Sequence, residues 1–196
     1  MSTTAPTTSA AARAAEDPTT ATPAGAPTRP LGTAPLLGYA DYQAIVDLFQ
    51  DYAHTLDAGD WERWPEFFTA QCVYRLQPRE NHERGLPLAT LAFDSQGMLR
   101  DRVYGIRETL FHDPYYQRHI VGAPRVLAVG QVDGLRQVRT QASYVVIRTK
   151  LDQLSQVFNT GRYLDTVVHT PEGWRFARRE CIYDSEMIPN SIIYPI

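Results

Sequence analysis

The sequence predicts an α+β domain in which a curved antiparallel sheet wraps around a long N-terminal helix, with two further helices beside it. Three observations predict this. An apolar stripe of helical period opens the aromatic-containing part of the chain, period-2 alternation dominates its second half, and helices precede the long strands.

Ile45, Leu48, Phe49, Tyr52, Ala53 and Leu56 recur at helical spacing, which predicts a helix over about 40–56 with one apolar face. Asp57-Ala58-Gly59 supplies its stop. Asp60 then caps a short second helix carrying Trp61, Trp64, Phe67 and Phe68, with Pro65 tolerated near its first turn or as a kink. A third helix follows Asp94-Ser95 and turns Met98, Leu99, Val103, Ile106 and Leu110 inward, with Pro114 at or just beyond its end.

The remaining segments read as strands. Cys72, Tyr74 and Leu76 alternate with Val73, Arg75 and Gln77, and residues 118–129 are β-rich with a bulge or bend at Gly122-Ala123-Pro124. Over 135–150, Val138, Thr140, Ala142, Tyr144 and Val146 share one face, so one side of the sheet is packed and the other wetter. Asp133-Gly134 and Pro171-Glu172-Gly173 are turn sequences, which predicts hairpins and an antiparallel sheet.

Composition divides the chain. Residues 1–35 hold six of the 14 prolines and no Phe, Trp, Tyr, Val, Ile or Cys. Such a stretch cannot bury enough apolar surface to offset roughly 1–2 kcal/mol of backbone ordering entropy per residue. The expectation is a disordered Ala/Thr/Pro-rich tail over 1–38 and one domain over 39–196. The formal charge of −3 gives no field for a polyanion, so nucleic acid is a poor partner. No apolar run reaches the roughly 20 residues of a membrane span, and the start lacks a secretory leader pattern. The reading is a cytoplasmic protein whose two cysteines, Cys72 and Cys181, are buried thiols rather than a disulfide framework.

The search for chemistry returns few candidates. A Rieske cluster needs paired Cys-x-His and Cys-x-x-His motifs, and Cys72-Val73-Tyr74 and Cys181-Ile182-Tyr183-Asp184 supply no histidine. His112, Asp113 and His119 are the best approach to a two-histidine, one-carboxylate iron site, but Pro114 keeps the histidines off a shared helix face. No phosphate loop or G-x-S-x-G elbow is present, and neither Ser143 nor Cys72 has a context that activates it. A sheet curved around a helix leaves an open end where a cavity can form, and Tyr52, Asp57, Tyr74 and His119 are the polar residues expected near it. Each also has a plain structural use: Tyr52 is in phase with the apolar stripe, Asp57 sits at a helix end, and His119 can hydrogen-bond across the sheet.

The helix ending Leu56-Asp57-Ala58-Gly59-Asp60, followed by Trp64-Pro65-Glu66-Phe67-Phe68-Thr69 and Cys72-Val73-Tyr74-Arg75, resembles the opening of the nuclear-transport-factor-like (SnoaL-like, cystatin-like) cone fold shared by ketosteroid isomerase and scytalone dehydratase. Further segments narrow the resemblance: Asn81-His82-Glu83-Arg84-Gly85-Leu86, the run from Asp94 to Arg102, Arg118-His119-Ile120-Val121-Gly122-Ala123-Pro124, and Gly161-Arg162-Tyr163-Leu164-Asp165. Together they resemble the small (β) subunits of Rieske-type aromatic-ring-hydroxylating oxygenases, nearest the branch acting on aromatic carboxylates such as terephthalate and salicylate. Where the isomerases place a general-base aspartate, this sequence offers Leu76 or Gln77, neither of which takes a proton.

The resemblance implies a structural subunit without catalytic residues or a cofactor of its own. The large α subunit of such an enzyme holds the Rieske [2Fe-2S] cluster and mononuclear Fe(II), receives electrons from NAD(P)H through a reductase, and often assembles with β subunits as an α3β3 hexamer. Docking residues are then needed. Candidates are Arg100, Arg102 and Arg107, alternatively a solvated helix face, and Ile192, Ile193 and Tyr194, which either pack on their own domain or cover another chain. Two rival readings stand beside this one: a free-standing cavity enzyme (a dehydratase, isomerase or cyclase) using Tyr52, Asp57 or His119, and a ligand-binding or dimerisation module without chemistry.

Overall fold

The computed structural model describes residues 37–185, 187 and 191–196. The expected tail therefore lies outside the described residues except for Leu37, which packs against the core, and Gly38, which begins the first helix.

Helix α1 runs Tyr39–Ala58 and buries every member of the predicted stripe. It ends in a Schellman motif: the Gly59 amide bonds the Leu56 carbonyl at 3.1 Å and the Asp60 amide bonds that of Thr55 at 3.1 Å. Gly59 takes φ 70°, a left-handed conformation a side chain would strain. Asp60 thus closes this helix through its backbone, and its side chain makes no capping bond to the next element. That element, Trp61–Phe67, is a 3-10 helix with Pro65 inside it, and it drives Trp64 and Phe67 into the core.

Strand β1 (Phe68–Pro78) leads to the short helix α2 (Arg79–Glu83) and strand β2 (Leu91–Phe93), neither of which the hydrophobic pattern signals. Helix α3 (Gln96–Tyr104) is capped by Ser95, whose hydroxyl accepts from the Met98 amide at 3.2 Å, and runs on into a π-turn over Gly105–Thr109. Leu99, Val103 and Ile106 face inward as expected. Met98 does not: it is 40% exposed, and its sulfur accepts from the Asp94 amide.

The remaining strands are β3 (Tyr116–Val121), β4 (Arg125–Val132), β5 (Leu135–Thr149), β6 (Gln156–Thr170) and β7 (Gly173–Tyr183). They form one curved, unclosed seven-stranded sheet in the order β2-β1-β7-β6-β5-β3, with β4 also on β5. The bend at Gly122-Ala123-Pro124 separates β3, which pairs with residues 144–149 of β5, from β4, which pairs with residues 135–141. Asp133 and Gly134, at φ 52° and 78°, make the tight β4–β5 turn. One pairing departs from the antiparallel expectation: β1 and β7 run parallel, from Phe68 opposite Phe176 to Pro78 opposite Tyr183. The connection from β1 to β7 takes the whole middle of the chain, so no local turn sequence reports it.

The core fills the space between α1, the 3-10 helix, α3 and the inner face of the sheet. It is strongly aromatic. Tyr52, Phe67, Phe68 and Phe176 meet edge to face or tilted at 5.5–6.2 Å where their rings touch, Trp64 meets Tyr74 at 5.4 Å, and Tyr144 stacks on Tyr163 at 4.4 Å.

Candidate functional site

Two of the sequence candidates, Tyr52 and Tyr74, meet deep in the interior, but what they meet there is the chain itself. The Tyr52 hydroxyl donates to the Ile196 main-chain oxygen at 2.8 Å and accepts the Trp64 indole N–H at 3.2 Å. The Tyr74 hydroxyl donates to the same oxygen at 3.2 Å and accepts the Ile196 amide at 3.0 Å. The Cys181 thiol reaches that oxygen from β7 at 3.4 Å. Burial raises both tyrosines above the ordinary phenol value and pushes Cys181 up to about 12, so all three are neutral donors at physiological pH. Residues 192–196 occupy the place where a cavity was expected. Tyr194 stacks on Trp61 at 4.6 Å and bonds His112 Nε2 at 2.8 Å, and Ile192 and Ile196 are buried.

Asp57 and His119 form a second, separate arrangement. Asp57 leaves the last turn of α1 with its carboxylate 3% exposed. It accepts the His119 amide at 3.0 and 3.1 Å and His119 Nδ1–H at 2.7 Å, with Arg118 at 3.5 Å. A carboxylate only accepts, so Nδ1 carries the proton. This is the geometry of a base and its orienting group, but His119 Nε2 is buried and bonds nothing among the described residues. Two surface hollows, of about 220 and 130 Å³, are lined by neither residue. What the pair does do is tie β3 to the end of α1. His112, Asp113 and His119 are likewise apart: His112 is held by Tyr194, Asp113 by Lys150 at 2.5 Å and His119 by Asp57. No group of three His, Cys, Asp or Glu suited to a metal forms among the described residues. Cys72 is buried with its thiol pushed up to about 11 by desolvation, the opposite of an activated nucleophile, and Ser143 faces outward on β5.

The most charged feature of the interior escaped the sequence reading. Arg179 on β7 and Asp165 on β6 are cross-strand partners with side chains fully buried, bonded twice at 2.9 and 3.0 Å. The guanidinium carbon lies 3.8 Å from the Phe176 ring centre and 4.2 Å from those of Tyr52 and Tyr163. Burial opposes its charge, yet the Asp165 carboxylate more than offsets this and holds Arg179 above its ordinary value. Burial likewise raises Asp165, with Arg179 pulling the other way. The signal lay in strand parity, because Asp165 and Arg179 share the inward phase of Tyr163 and Cys181.

Residues 39–180 match the family model of the SnoaL-like domain. Over 152 residues the chain is 37% identical to the small subunit of anthranilate 1,2-dioxygenase from Burkholderia cepacia, covering 78% of this chain and 92% of that one. The chain belongs to the small-subunit family of aromatic-ring-hydroxylating dioxygenases. Among this family it is also 32% identical, over 74% of its length and 92% of the relative's, to the β1 subunit of the terminal oxygenase component of terephthalate 1,2-dioxygenase from a Comamonas species. A solved structure agrees: a β subunit proposed to belong to an aromatic-ring-hydroxylating dioxygenase of Novosphingobium aromaticivorans superposes with a TM-score of 0.70 at 35% identity, covering 80% of this chain and 97% of that one.

For a dioxygenase small subunit the exterior matters as much as the interior. Arg102 does not stand free as expected: it turns back to the Ile192 and Ile193 carbonyls at 3.3 and 2.5 Å. Ile192 and Tyr194 pack on their own domain, leaving Ile193 partly exposed. Arg100 and Arg107 remain at the surface, engaged by Gln96 and Glu62. Sequence reasoning missed the outer face at the β3 end of the sheet. Ile120 pairs with Val145 across β3 and β5, Ile147 pairs with Val157 across β5 and β6, and Tyr116, Ile120 and Val157 are each more than half exposed. Leu151 and Leu154 in the β5–β6 loop extend this apolar surface.

Proposed function

We propose that this chain is the non-catalytic β subunit of a cytoplasmic dioxygenase that hydroxylates an aromatic carboxylate. The single observation that carries the reading is 37% identity across 92% of the anthranilate 1,2-dioxygenase small subunit. The site geometry supports it: the tyrosines that a cavity enzyme would use are bonded to residues 192–196, and Asp57 and His119 are bonded to each other. In this reading a large α subunit carries the Rieske [2Fe-2S] cluster and mononuclear Fe(II), fed from NAD(P)H by a reductase, and the two chains assemble as α3β3. The β chain stiffens that assembly. Its docking surface combines the apolar outer face around Tyr116, Ile120 and Val157 with the surface residues Arg100, Arg107 and Ile193.

Co-expression with a large oxygenase subunit tests this. The β chain should co-elute with the larger iron–sulfur chain, and by itself it should neither bind iron nor turn over anthranilate or terephthalate. Turnover by the isolated chain that Asp57→Asn or His119→Ala abolishes would replace this reading with the cavity enzyme.

A further inference from the structure

Residues 192–196 belong to no helix or strand, and the main-chain hydrogen bonds that hold them come from side chains of other elements. Arg102 of α3 donates to the Ile192 and Ile193 carbonyls, Gln117 of β3 to the Pro195 carbonyl at 3.3 Å, and Tyr52, Tyr74 and Cys181 to that of Ile196. The Tyr194 and Ile196 amides donate to the hydroxyls of Tyr115 and Tyr74, at 3.5 and 3.0 Å. Ile192, Tyr194, Pro195 and Ile196 are buried, Ile193 lies partly open, and the chain bends at Tyr194. Recognition of a main chain by fixed donors, with apolar side chains in pockets, is one way proteins bind peptide segments.

We propose that Tyr52, Tyr74, Arg102, Tyr115 and Gln117 form a peptide-binding site for a short apolar segment like residues 192–196, which occupies the site in cis as a ligand whose docking is separable from folding of the rest of the domain. The sheet beneath is complete without it, since β1 and β5 through β7 bond one another along their lengths. The proposal is independent of the small-subunit reading, because it concerns the interior and makes no use of a large subunit.

The test has two arms. A chain lacking residues 192–196 should keep its far-ultraviolet circular dichroism. It should bind a synthetic peptide of residues 191–196 saturably, with a change in the fluorescence of Trp61, which stacks on Tyr194. The same peptide carrying Tyr194→Ala and Ile196→Ala should bind at least about tenfold more weakly. In the full chain, Cys181 lies beneath Ile196 and reports opening of the segment. Its labelling by a disulfide reagent, separated from that of Cys72 by peptide mapping, should proceed at a rate independent of low denaturant, and Tyr194→Ala should accelerate it about tenfold. A folded truncated chain that ignores the peptide, or that binds a scrambled peptide equally, overturns the proposal. If the truncated chain does not fold, the labelling decides: a rate that rises in parallel with global unfolding overturns it.

Discussion

The two faces of the sheet near β5 and β6 have opposite characters. On the inner face several polar side chains are bonded to partners inside the chain: Arg179 to Asp165, Tyr52 and Tyr74 to Ile196, Tyr144 to Asn159 at 2.6 Å. On the outer face, Ile120 and Val157 stand more than half exposed beside neighbours that are also apolar. An uncovered apolar surface loses free energy until something covers it. Those polar contacts are made within the chain, and the uncovered apolar area lies on its outside.

The contrast is sharpest between two of the ion pairs, Arg179–Asp165 and Arg178–Glu180. Asp165→Ala leaves a fully buried guanidinium without its counter-ion and should cost about 3–5 kcal/mol in urea unfolding. Glu180→Ala breaks the Arg178–Glu180 pair at the surface and should cost only about 0–1 kcal/mol. Equal losses would erase the distinction between the faces. Gly161→Ala is next: a Cβ there would lie 2.0 Å from the Ile182 carbonyl oxygen, backbone that cannot step aside, and roughly 3 kcal/mol should be lost.

The pH dependence of stability probes the same interior. Cys181 holds its proton in the folded chain up to about 12, whereas an unfolded thiol releases it near about 8.5. Its stabilisation is therefore complete below about pH 8.5 and is lost as pH rises toward the folded value, by up to about 1.4 kcal/mol per pH unit. Denaturation midpoints should fall as pH rises through that range, and Cys181→Ala should reduce the slope, leaving the part due to Cys72, whose thiol is also raised, to about 11. Tyr52→Phe should cost about 1 kcal/mol through its hydrogen bonds and leave turnover by an assembled dioxygenase unchanged. The smallest effect on folding belongs to the outer face. Ile120→Arg and Val157→Asp should each move stability by less than about 0.5 kcal/mol yet prevent co-elution with a large subunit. Retained co-elution would shift the docking surface elsewhere.

What could be read from the sequence was local. The stop at Asp57-Ala58-Gly59, the helix start after Asp94-Ser95, the Asp133-Gly134 turn and the alternation from Val138 to Val146 each depend on neighbours a few residues away, and each is present in the structure. What could not be read depends on register between distant segments. Asp165 and Arg179 are unremarkable until β6 and β7 are aligned, and β1 beside β7 is a pairing across about a hundred residues. The site candidates illustrate the same limit. Tyr52, Tyr74, Asp57 and His119 are all at the inner face or its rim, but the structure divides them between two arrangements, because Tyr52 points along the core stripe and Asp57 lies beyond it at the helix end. The position of residues 192–196 had no local signal, since no turn or period marks a segment bound only by side chains.

The bond from the His119 amide to Asp57 has a consequence for life in a crowded solution. Sheets that end in an unpaired strand invite strangers to extend them, and chains with sticky outer surfaces run the greatest risk of polymerising that way. Here a carboxylate sits on a β3 amide that a foreign strand would have to bond, Arg118 adds a charge beside it, and the opposite border of the sheet is only the three residues of β2. The β2 border and the Asp57-capped stretch of β3 are thus poor templates for a foreign strand.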